Sequence, residues 1–213
     1  MDIQVWYDVV CPWCYLGKHR LEKALEGFDG EVTVTYRAFQ LDPTPVPAPL
    51  PIKRSVAAKF GGTGRAEQMF AHVTAIAAGD GLSLDFDRAI AANTFDAHRL
   101  VAWAAGQGRQ RDMIDALQRA HFTGGIDIGS HAALAAVAGS IGLDPSVAFA
   151  YLDSGAGADA VNADIAGARE LGITSVPTFV IDGRYAVQGA QEPATLRTAF
   201  EEIARREAVD MGR

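Results

Sequence analysis

Two cysteines separated by a proline and a tryptophan are the side chains of this sequence best suited to chemistry. Cys11, Pro12, Trp13 and Cys14 form a Cys-x-x-Cys motif, and the 213 residues contain no other cysteine. A strand-like apolar run at 3–10 leads into the motif, and apolar residues at helical spacing follow it. A strand, a thiol pair and a helix in this order are typical of proteins that exchange disulfides.

The position of the motif predicts different roles for the two thiols. Pro12 fits the first helical position, because its missing N–H costs nothing there and its φ is already helical. Cys11 then lies near the N-cap, where unpaired backbone N–H groups and the helix dipole favour a thiolate. Cys14 follows one turn later on the same face. We therefore predict that Cys11 is the exposed nucleophile and Cys14 the more buried resolving thiol.

A structural disulfide and a metal site are the alternative interpretations of the cysteine pair. A disulfide between residues three apart closes a very short loop, which stabilises a fold little. Zinc or an iron–sulfur cluster requires about four ligands. The histidines at positions 19, 72, 98, 121 and 131 do not form an HxxxH pair. We expect no metal site and no tightly bound cofactor.

The composition is that of an acidic globular chain. The formal net charge is −7 and 49% of the residues are hydrophobic. This charge disfavours nucleic acid or an anionic membrane as a partner, and the apolar stretch at 132–143 is too short to cross a bilayer. The sequence begins directly with the first strand and shows no signal-peptide pattern, so we expect a cytoplasmic protein. In that reducing compartment a thiol pair is catalytic or redox-sensing rather than structural.

The order of elements indicates one α/β sheet interrupted by helices. A strand of alternating polarity at 32–38 follows the first helix, which suggests a βαβ unit. A proline-rich extended segment at 42–51 leads to a nearly all-helical region at 52–171. The chain then returns to a hairpin with its turn at Asp182-Gly183, followed by a last helix at about 192–207.

Four segments carry a resemblance to a known family. They read DVVCPWCYLGK at 8–18, NTFDAHRL at 93–100, GITSVPTF at 172–179 and QGAQ at 188–191. With them the chain resembles, nearly end to end, the DsbA-like branch of the thioredoxin superfamily. It looks most similar to the cytoplasmic FrnE-type proteins, which are related to 2-hydroxychromene-2-carboxylate isomerases and kappa-class glutathione transferases.

The resemblance implies a fold and a domain organisation. The fold is α/β, a thioredoxin fold with a large all-helical insertion, as in DsbA. Residues 1–45 and 172–213 would form the discontinuous thioredoxin-like domain, and residues 46–171 would form the helical insertion domain.

The resemblance also implies a substrate-binding loop far from the motif in sequence. In the family a cis-proline loop faces the thiols, which places Pro177 there with a cis Val176–Pro177 bond. An X–Pro bond is the one type at which cis is cheap, and proline is tolerated at the start of a strand. Val176 and Pro177 are therefore candidate substrate-binding residues, with the backbone of Val176 free to pair with an extended substrate.

Two positions depart from the family pattern. The acid that thioredoxins carry six residues before the first cysteine is replaced by Val5. Asp8, three residues before Cys11, is the candidate proton handler, although a carboxylate this close would alternatively raise the pKa of Cys11. Trp13 stands where DsbA has a histidine, and it brings no positive charge to a thiolate. We therefore predict a reduction potential less oxidising than that of DsbA.

Four other polar side chains have interpretations of their own. His98 either lines the cleft and contacts substrate or packs within a helix, and the second is favoured for a lone histidine. His121 falls on an apolar stripe and is predicted to be a buried, hydrogen-bonded core residue. Arg99 is predicted to be a surface cation, and Lys18 is predicted to be solvated.

The motif together with the resemblance is compatible with three functions. The first is a thiol–disulfide oxidoreductase that exchanges disulfides with protein or small-thiol substrates and is recycled by a cellular thiol system. The second is a glutathione-dependent isomerase or transferase, with glutathione as a co-substrate activated at Cys11. The third is a non-catalytic redox sensor. Loss of Cys14 distinguishes them: the first would stall as a mixed disulfide, the second would survive, and the third would lose its redox response. Both a monomer and a homodimer are compatible with the sequence.

Overall fold

The computed structural model describes residues 1–211 and the side chains of residues 1–208. The strands are β1 (Asp2–Tyr7), β2 (Thr33–Ala38), β3 (Leu50–Pro51), β4 (Ile90–Ala91), β5 (Thr178–Ile181) and β6 (Tyr185–Gln188). The helices are α1 (Pro12–Leu25), α2 (Ile52–Lys59), α3 (Thr63–Gly79), α4 (Phe95–Ala105), α5 (Gln110–Phe122), α6 (His131–Ser140), α7 (Pro145–Asp153), α8 (Ala158–Glu170) and α9 (Pro193–Met211).

A four-stranded mixed sheet of order β2-β1-β5-β6 is the frame of the fold. β1 and β2 are parallel and are joined through α1, which confirms the predicted βαβ unit. β5 pairs antiparallel with both β1 and β6, so the hairpin predicted at Asp182-Gly183 is confirmed. This order places the start of α1 and the start of β5 at the same end of the sheet, because β1 runs towards α1 and β5 runs in the opposite direction.

Both faces of β1 are buried, which explains its nearly continuous apolar sequence. Ile3, Val5 and Tyr7 belong to the main core cluster, which also contains apolar residues of α1, α4, α5 and α9. Trp6 points to the opposite face and packs with Ala168 of α8 in a second cluster. The sheet is therefore a middle layer with helices on both sides, as the predicted α/β class requires.

Seven helices, α2 to α8, lie between β2 and β5 in the sequence and form the predicted helical insertion. α4, α5, α6 and α7 pack consecutively against one another. The antiparallel pair of β3 and β4 was not predicted, because two-residue strands leave no alternating pattern. α8 contacts both β2 and α4, and the division of the chain at residues 45/46 and 171/172 stays a prediction.

None of the helices described here is long and apolar enough to cross a membrane.

Candidate active site

The thiol motif lies where β1 turns into α1. Cys11 is the N-cap residue in an extended conformation, with φ −83° and ψ 114°, and Pro12 opens the helix. The carbonyl oxygen of Cys11 accepts hydrogen bonds from the backbone N–H groups of Cys14 at 3.0 Å and of Tyr15 at 3.1 Å. Local sequence dictates this geometry, since proline at the first position is preorganised for a helix start. The dipole of α1 therefore has its positive end at Cys11.

Both thiols are free and both cysteines are buried. Cys11 is 4% exposed and Cys14 is 2% exposed. The prediction that Cys11 is exposed is therefore wrong. Cys11 has distant segments around it: its sulfur lies against Val176, and it borders a cavity whose other walls come from the proline-rich segment and from α2 and α3. Sequence spacing around the motif contains no information on these distant walls.

The environment of Cys14 keeps it a thiol. Burial raises the pKa of Cys14 well above its ordinary value, and a hydrogen bond to Cys11 and the charge on Cys11 raise it further. The carboxylate of Asp8 adds to the same effect, whereas a hydrogen bond from the Asp8 backbone opposes it. A protonated Cys14 needs a base before it can attack a disulfide formed on Cys11.

The loop before β5 lies next to Cys11, at the same end of the sheet, because β1 and β5 are neighbouring antiparallel strands. The Val176–Pro177 peptide bond is cis, and the sulfur of Cys11 lies 3.8 Å from the carbonyl oxygen of Val176. The Pro177 carbonyl oxygen accepts a hydrogen bond of 2.8 Å from Gly189, which ties the loop to the end of β6. The structure thus brings together two segments that are 165 residues apart in the sequence.

Gly17 lets α1 approach this loop closely. A Cβ atom at Gly17 would lie 2.7 Å from Cγ of Pro177 and 3.6 Å from Cα of Ala190. A carbon–carbon contact has its optimum at about 3.5–4.0 Å, so a side chain at this position does not fit without a shift. Gly17 was not among the predicted site residues, although a glycine inside a helix close to the motif commonly marks a close approach between backbones.

Asp8 and His98 form a buried polar pair behind the motif. The Asp8 side chain accepts a hydrogen bond of 2.8 Å from the backbone of Leu41 through Oδ2, and its Oδ1 lies 3.4 Å from Nε2 of His98. His98 Nε2 is also 3.0 Å from the carbonyl oxygen of Phe39, and its ring packs edge-on against Tyr7. These contacts support the packing interpretation of His98. A direct contact between His98 and substrate stays a prediction.

Trp13 is the most accessible residue of the motif. Its side chain is partly exposed, and its ring lies 5.9 Å from that of His72 on α3. Trp13 therefore touches the helical insertion while it still borders the opening beside Cys11.

Two predicted surface cations are buried, and both predictions are wrong. Lys18 is 4% exposed and lies 2.7 Å from carboxylate oxygens of both Glu22 and Asp115. Arg99 is 3% exposed and donates to three carbonyl oxygens near the end of α7 and to Asp96. Most of these partners are distant in sequence, so the local pattern did not identify them. Arg99 supplies donors to main-chain carbonyl oxygens, whereas Lys18 pairs with two partly exposed carboxylates.

His121 is buried, as predicted. Neither ring nitrogen of His121 has a hydrogen-bond partner among the described residues. Burial lowers the pKa of His121 to about 4. The imidazole is therefore neutral near pH 7.

An apolar cavity of about 330 Å³ adjoins Cys11, and sequence reasoning missed it. Its walls come from the motif, from residues 41–46, from α2 and α3, and from the region of β4. A signal for it was present: Ile52, Val56 and Phe60 recur every four residues, yet α2 has no buried residue. An apolar stripe that the fold leaves uncovered commonly marks a binding surface.

No group of three or more histidine, cysteine, aspartate or glutamate side chains within the described residues has the arrangement of a metal site.

Comparison with known proteins places this geometry among thioredoxin-like proteins. The family model of the DSBA-like thioredoxin domain matches residues 2–201. A crystal structure of a probable DsbA oxidoreductase from Streptomyces coelicolor is 36% identical, with a TM-score of 0.87. That similarity covers 95% of this chain and 89% of the Streptomyces chain.

More distant structures share the fold. A 2-hydroxychromene-2-carboxylate isomerase is 18% identical with a TM-score of 0.72, and the match covers 98% of each chain. The cytosolic disulfide reductase DsbM from Pseudomonas aeruginosa, solved with GSH, is 22% identical with a TM-score of 0.64, over 96% of this chain and 100% of DsbM. Among curated proteins, the uncharacterized protein YwbO of Bacillus subtilis is 43% identical over 47 residues, and the aligned part is 22% of either chain.

Proposed function

The chain belongs to the DSBA-like thioredoxin domain family, and from that membership we propose that it is a thiol–disulfide oxidoreductase whose redox pair is Cys11 and Cys14. The observation that carries the proposal is the position of the two free thiols. Cys11 is the N-cap of α1, and Cys14 lies in the first turn of the same helix. A helix N-terminus stabilises a thiolate, and a second thiol within reach resolves a mixed disulfide.

In the proposed reaction the Cys11 thiolate attacks one sulfur of a substrate disulfide. The substrate sulfur–sulfur bond breaks, one substrate thiolate leaves, and a mixed disulfide forms on Cys11. Cys14 then loses its proton and attacks the sulfur of Cys11, which releases the second substrate thiolate. The protein pair loses two electrons and becomes a disulfide, while the substrate gains them and becomes two thiols. A cellular thiol system would reduce the pair again, and the reverse sequence would oxidise a dithiol.

The loop at Val176 and Pro177 is proposed to hold the substrate against Cys11. The carbonyl oxygen of Val176 already faces the sulfur of Cys11 at 3.8 Å, so a substrate sulfur bonded to Cys11 would lie beside this loop. Backbone groups of an extended substrate can pair there with the main chain of Val176. Pro177 keeps the position of the loop through its contact with Gly17.

Asp8 is the proposed acceptor of the Cys14 proton. Its carboxylate is buried, its Oδ1 has no hydrogen-bond partner among the described residues, and its charge acts on Cys14. Asp8→Asn keeps an acceptor for Leu41 but removes the base. We expect the attack of Cys14 to slow about tenfold or more near neutral pH, because general bases typically contribute factors of this size or larger.

The opposite result would count against Asp8 as a base. The negative charge of Asp8 raises the pKa of Cys14, so its removal makes Cys14 easier to deprotonate. If Asp8 acts only through its charge, Asp8→Asn will accelerate the second step. Stopped-flow measurement of the two steps, with the Cys11 attack as the internal control, separates the two cases.

The second candidate function is the glutathione-dependent isomerase or transferase. The apolar cavity beside Cys11 is the observation in its favour, since it offers space for a second, hydrophobic substrate next to a glutathione bound at Cys11. In this function glutathione is a co-substrate and Cys14 is dispensable.

Cys14→Ser distinguishes the two functions. The oxidoreductase is expected to accumulate a mixed disulfide on Cys11, visible by mass spectrometry, and to lose turnover. The matched control is Cys11→Ser, which makes the same sulfur-to-oxygen replacement at the attacking cysteine. This variant is expected to form no mixed disulfide. Full turnover by Cys14→Ser with glutathione and an electrophile would support the isomerase or transferase instead.

The equilibrium between the dithiol and the disulfide gives an independent measurement on the unmodified protein. We expect a two-electron transition in glutathione buffers between about −270 and −150 mV, the range of working exchange proteins. Failure of the pair to form a disulfide would contradict the proposal. Such a pair would operate in the cytoplasm, where thiol systems recycle it, and assignment to the FrnE-type subgroup stays a prediction.

A further inference from the structure

The cavity beside Cys11 is lined mainly by apolar side chains. Large apolar side chains form much of its wall, among them Leu41, Ile52, Val56, Met69, Phe70 and Phe86. Four of the eight large apolar side chains exposed on the described surface also border it: Trp13, Leu41, Phe60 and Met69. Exposed apolar surface of this kind is concentrated where a partner or ligand covers it.

The charges of the cavity cancel. Asp42 and Lys59 are the only residues among its lining that carry a carboxylate or an ammonium group, and they form an ion pair with each other. Glutathione carries two carboxylates and an ammonium group at neutral pH. Burying those charges is costly unless each has a partner of opposite charge, and the two charged side chains of the cavity already pair with each other. The cavity is therefore poorly suited to bind the charged groups of glutathione.

The cavity wall is also held in place before any ligand binds. Asn93 donates from its side chain to the carbonyl oxygens of Pro43, at 2.9 Å, and of Thr44, at 3.3 Å. The pairing of β3 with β4 fixes the far end of the same proline-rich segment. A preformed apolar cavity of about 330 Å³ falls in the lower part of the size range of small-molecule sites.

We propose that this cavity binds the apolar body of a small, uncharged disulfide or thiol, with the reacting sulfur held at Cys11. The inference rests on the proposed oxidoreductase function and adds the class of its substrate. Burial of the apolar body in the cavity would hold the substrate sulfur beside Cys11, and holding two reacting groups together accelerates their reaction.

The test uses the reduced protein and mixed disulfides that share one coloured leaving thiol. The other half of each mixed disulfide is the thiol that varies: 2-phenylethanethiol, 2-hydroxyethanethiol, glutathione or a short cysteine peptide with a neighbouring phenylalanine. Cys11 attacks the sulfur of this half, the coloured thiolate leaves, and Cys14 then displaces the bound thiol, which takes up a proton. Each rate is divided by the rate of free dithiothreitol with the same probe, which removes differences in intrinsic reactivity.

We expect the phenylethyl probe to react at least about tenfold faster than the hydroxyethyl and glutathione probes. A factor of ten corresponds to about 1.4 kcal/mol, which is within the free energy gained when an aromatic side chain is buried. Equal rates for these probes would overturn the inference and leave the oxidoreductase proposal intact. A preference for the peptide probe over the phenylethyl probe would also overturn it. No Cys11-dependent release from any probe would instead refute the proposed function.

Two variants of α2 assign the preference to the cavity. Val56→Glu places a carboxylate in the cavity wall and is expected to bring the ratio of phenylethyl to hydroxyethyl rates towards one. Ala58→Glu makes the same change in charge at an exposed position of α2 that does not line the cavity, and it is expected to keep the wild-type ratio. If Val56→Glu fails to fold, the wild-type rate ratio still decides the inference.

Discussion

Gly17→Ala tests whether the close contact between α1 and the loop at Pro177 controls the reaction. The added Cβ would lie 2.7 Å from Cγ of Pro177 and 3.4 Å from Cβ of the same ring. The optimal distance between carbon atoms is about 3.5–4.0 Å, so the ring must move by up to about 1 Å. Because the proline ring is part of the backbone, this movement also displaces the carbonyl oxygen of Val176 that faces Cys11.

Two opposing contributions determine the stability of Gly17→Ala. Replacing a glycine inside a helix by alanine favours the folded state by about 1 kcal/mol. Insertion of a methyl group into a filled space costs about 1–3 kcal/mol. We therefore expect a net destabilisation of about 0–2 kcal/mol.

Gly167→Ala is the matched control for this prediction. Gly167 lies inside α8, and a Cβ atom there would meet no described heavy atom within 4 Å apart from the adjacent backbone of its own helix. This variant has the same gain in helix propensity without the clash, so we expect it to be stabilised by up to about 1 kcal/mol. The two variants should differ in stability by about 1–3 kcal/mol in urea unfolding at pH 7.

The same comparison gives the effect on the reaction. A displacement of about 1 Å in a positioning group can reduce a rate by about a hundredfold, so we expect Gly17→Ala to slow the attack of Cys11 by ten- to a hundredfold. Single-turnover exchange with a coloured mixed disulfide measures it, and Gly167→Ala should match the wild type. If Gly17→Ala and Gly167→Ala are indistinguishable in both stability and rate, the position of the loop does not depend on this contact.

Two further predictions concern buried polar groups away from the thiols. The folded pKa of His121 is about 4 while the unfolded value is 6.5, so the unfolded chain takes up the proton first and stability falls by about 3 kcal/mol as the pH decreases from 6.5 to 4. In urea titrations across this range His121→Leu should show a shallower loss, and a slope equal to that of the wild type would contradict the assignment. Arg99→Met removes the donor to the carbonyl oxygens of Tyr151, Leu152 and Ala156 and should cost about 3–5 kcal/mol. Arg109→Met, which breaks an exposed pair with Asp112, should change the unfolding midpoint little, and a similar effect of both variants would show that Arg99 is not structurally required.

Local sequence was sufficient for the elements around the thiols. Pro12 predicts the start of α1, and the start of that helix places Cys11 at its N-cap and Cys14 one turn later. The alternating pattern at 32–38 predicts β2, and Asp182-Gly183 predicts the hairpin of β5 and β6. These features depend on interactions between residues a few positions apart, and such interactions are visible in a sequence.

The tertiary structure decided what covers and what contacts each side chain. The proline-rich segment, α2 and α3 form a cavity beside Cys11, and Lys18 and Arg99 are buried with acceptors from other helices around them. The apolar cavity and the contact of Gly17 with Pro177 arise in the same way, from segments separated by tens to more than a hundred residues. Helix and strand starts are determined by neighbours along the chain, whereas burial and contact are determined by neighbours in space, and only the packed fold specifies those.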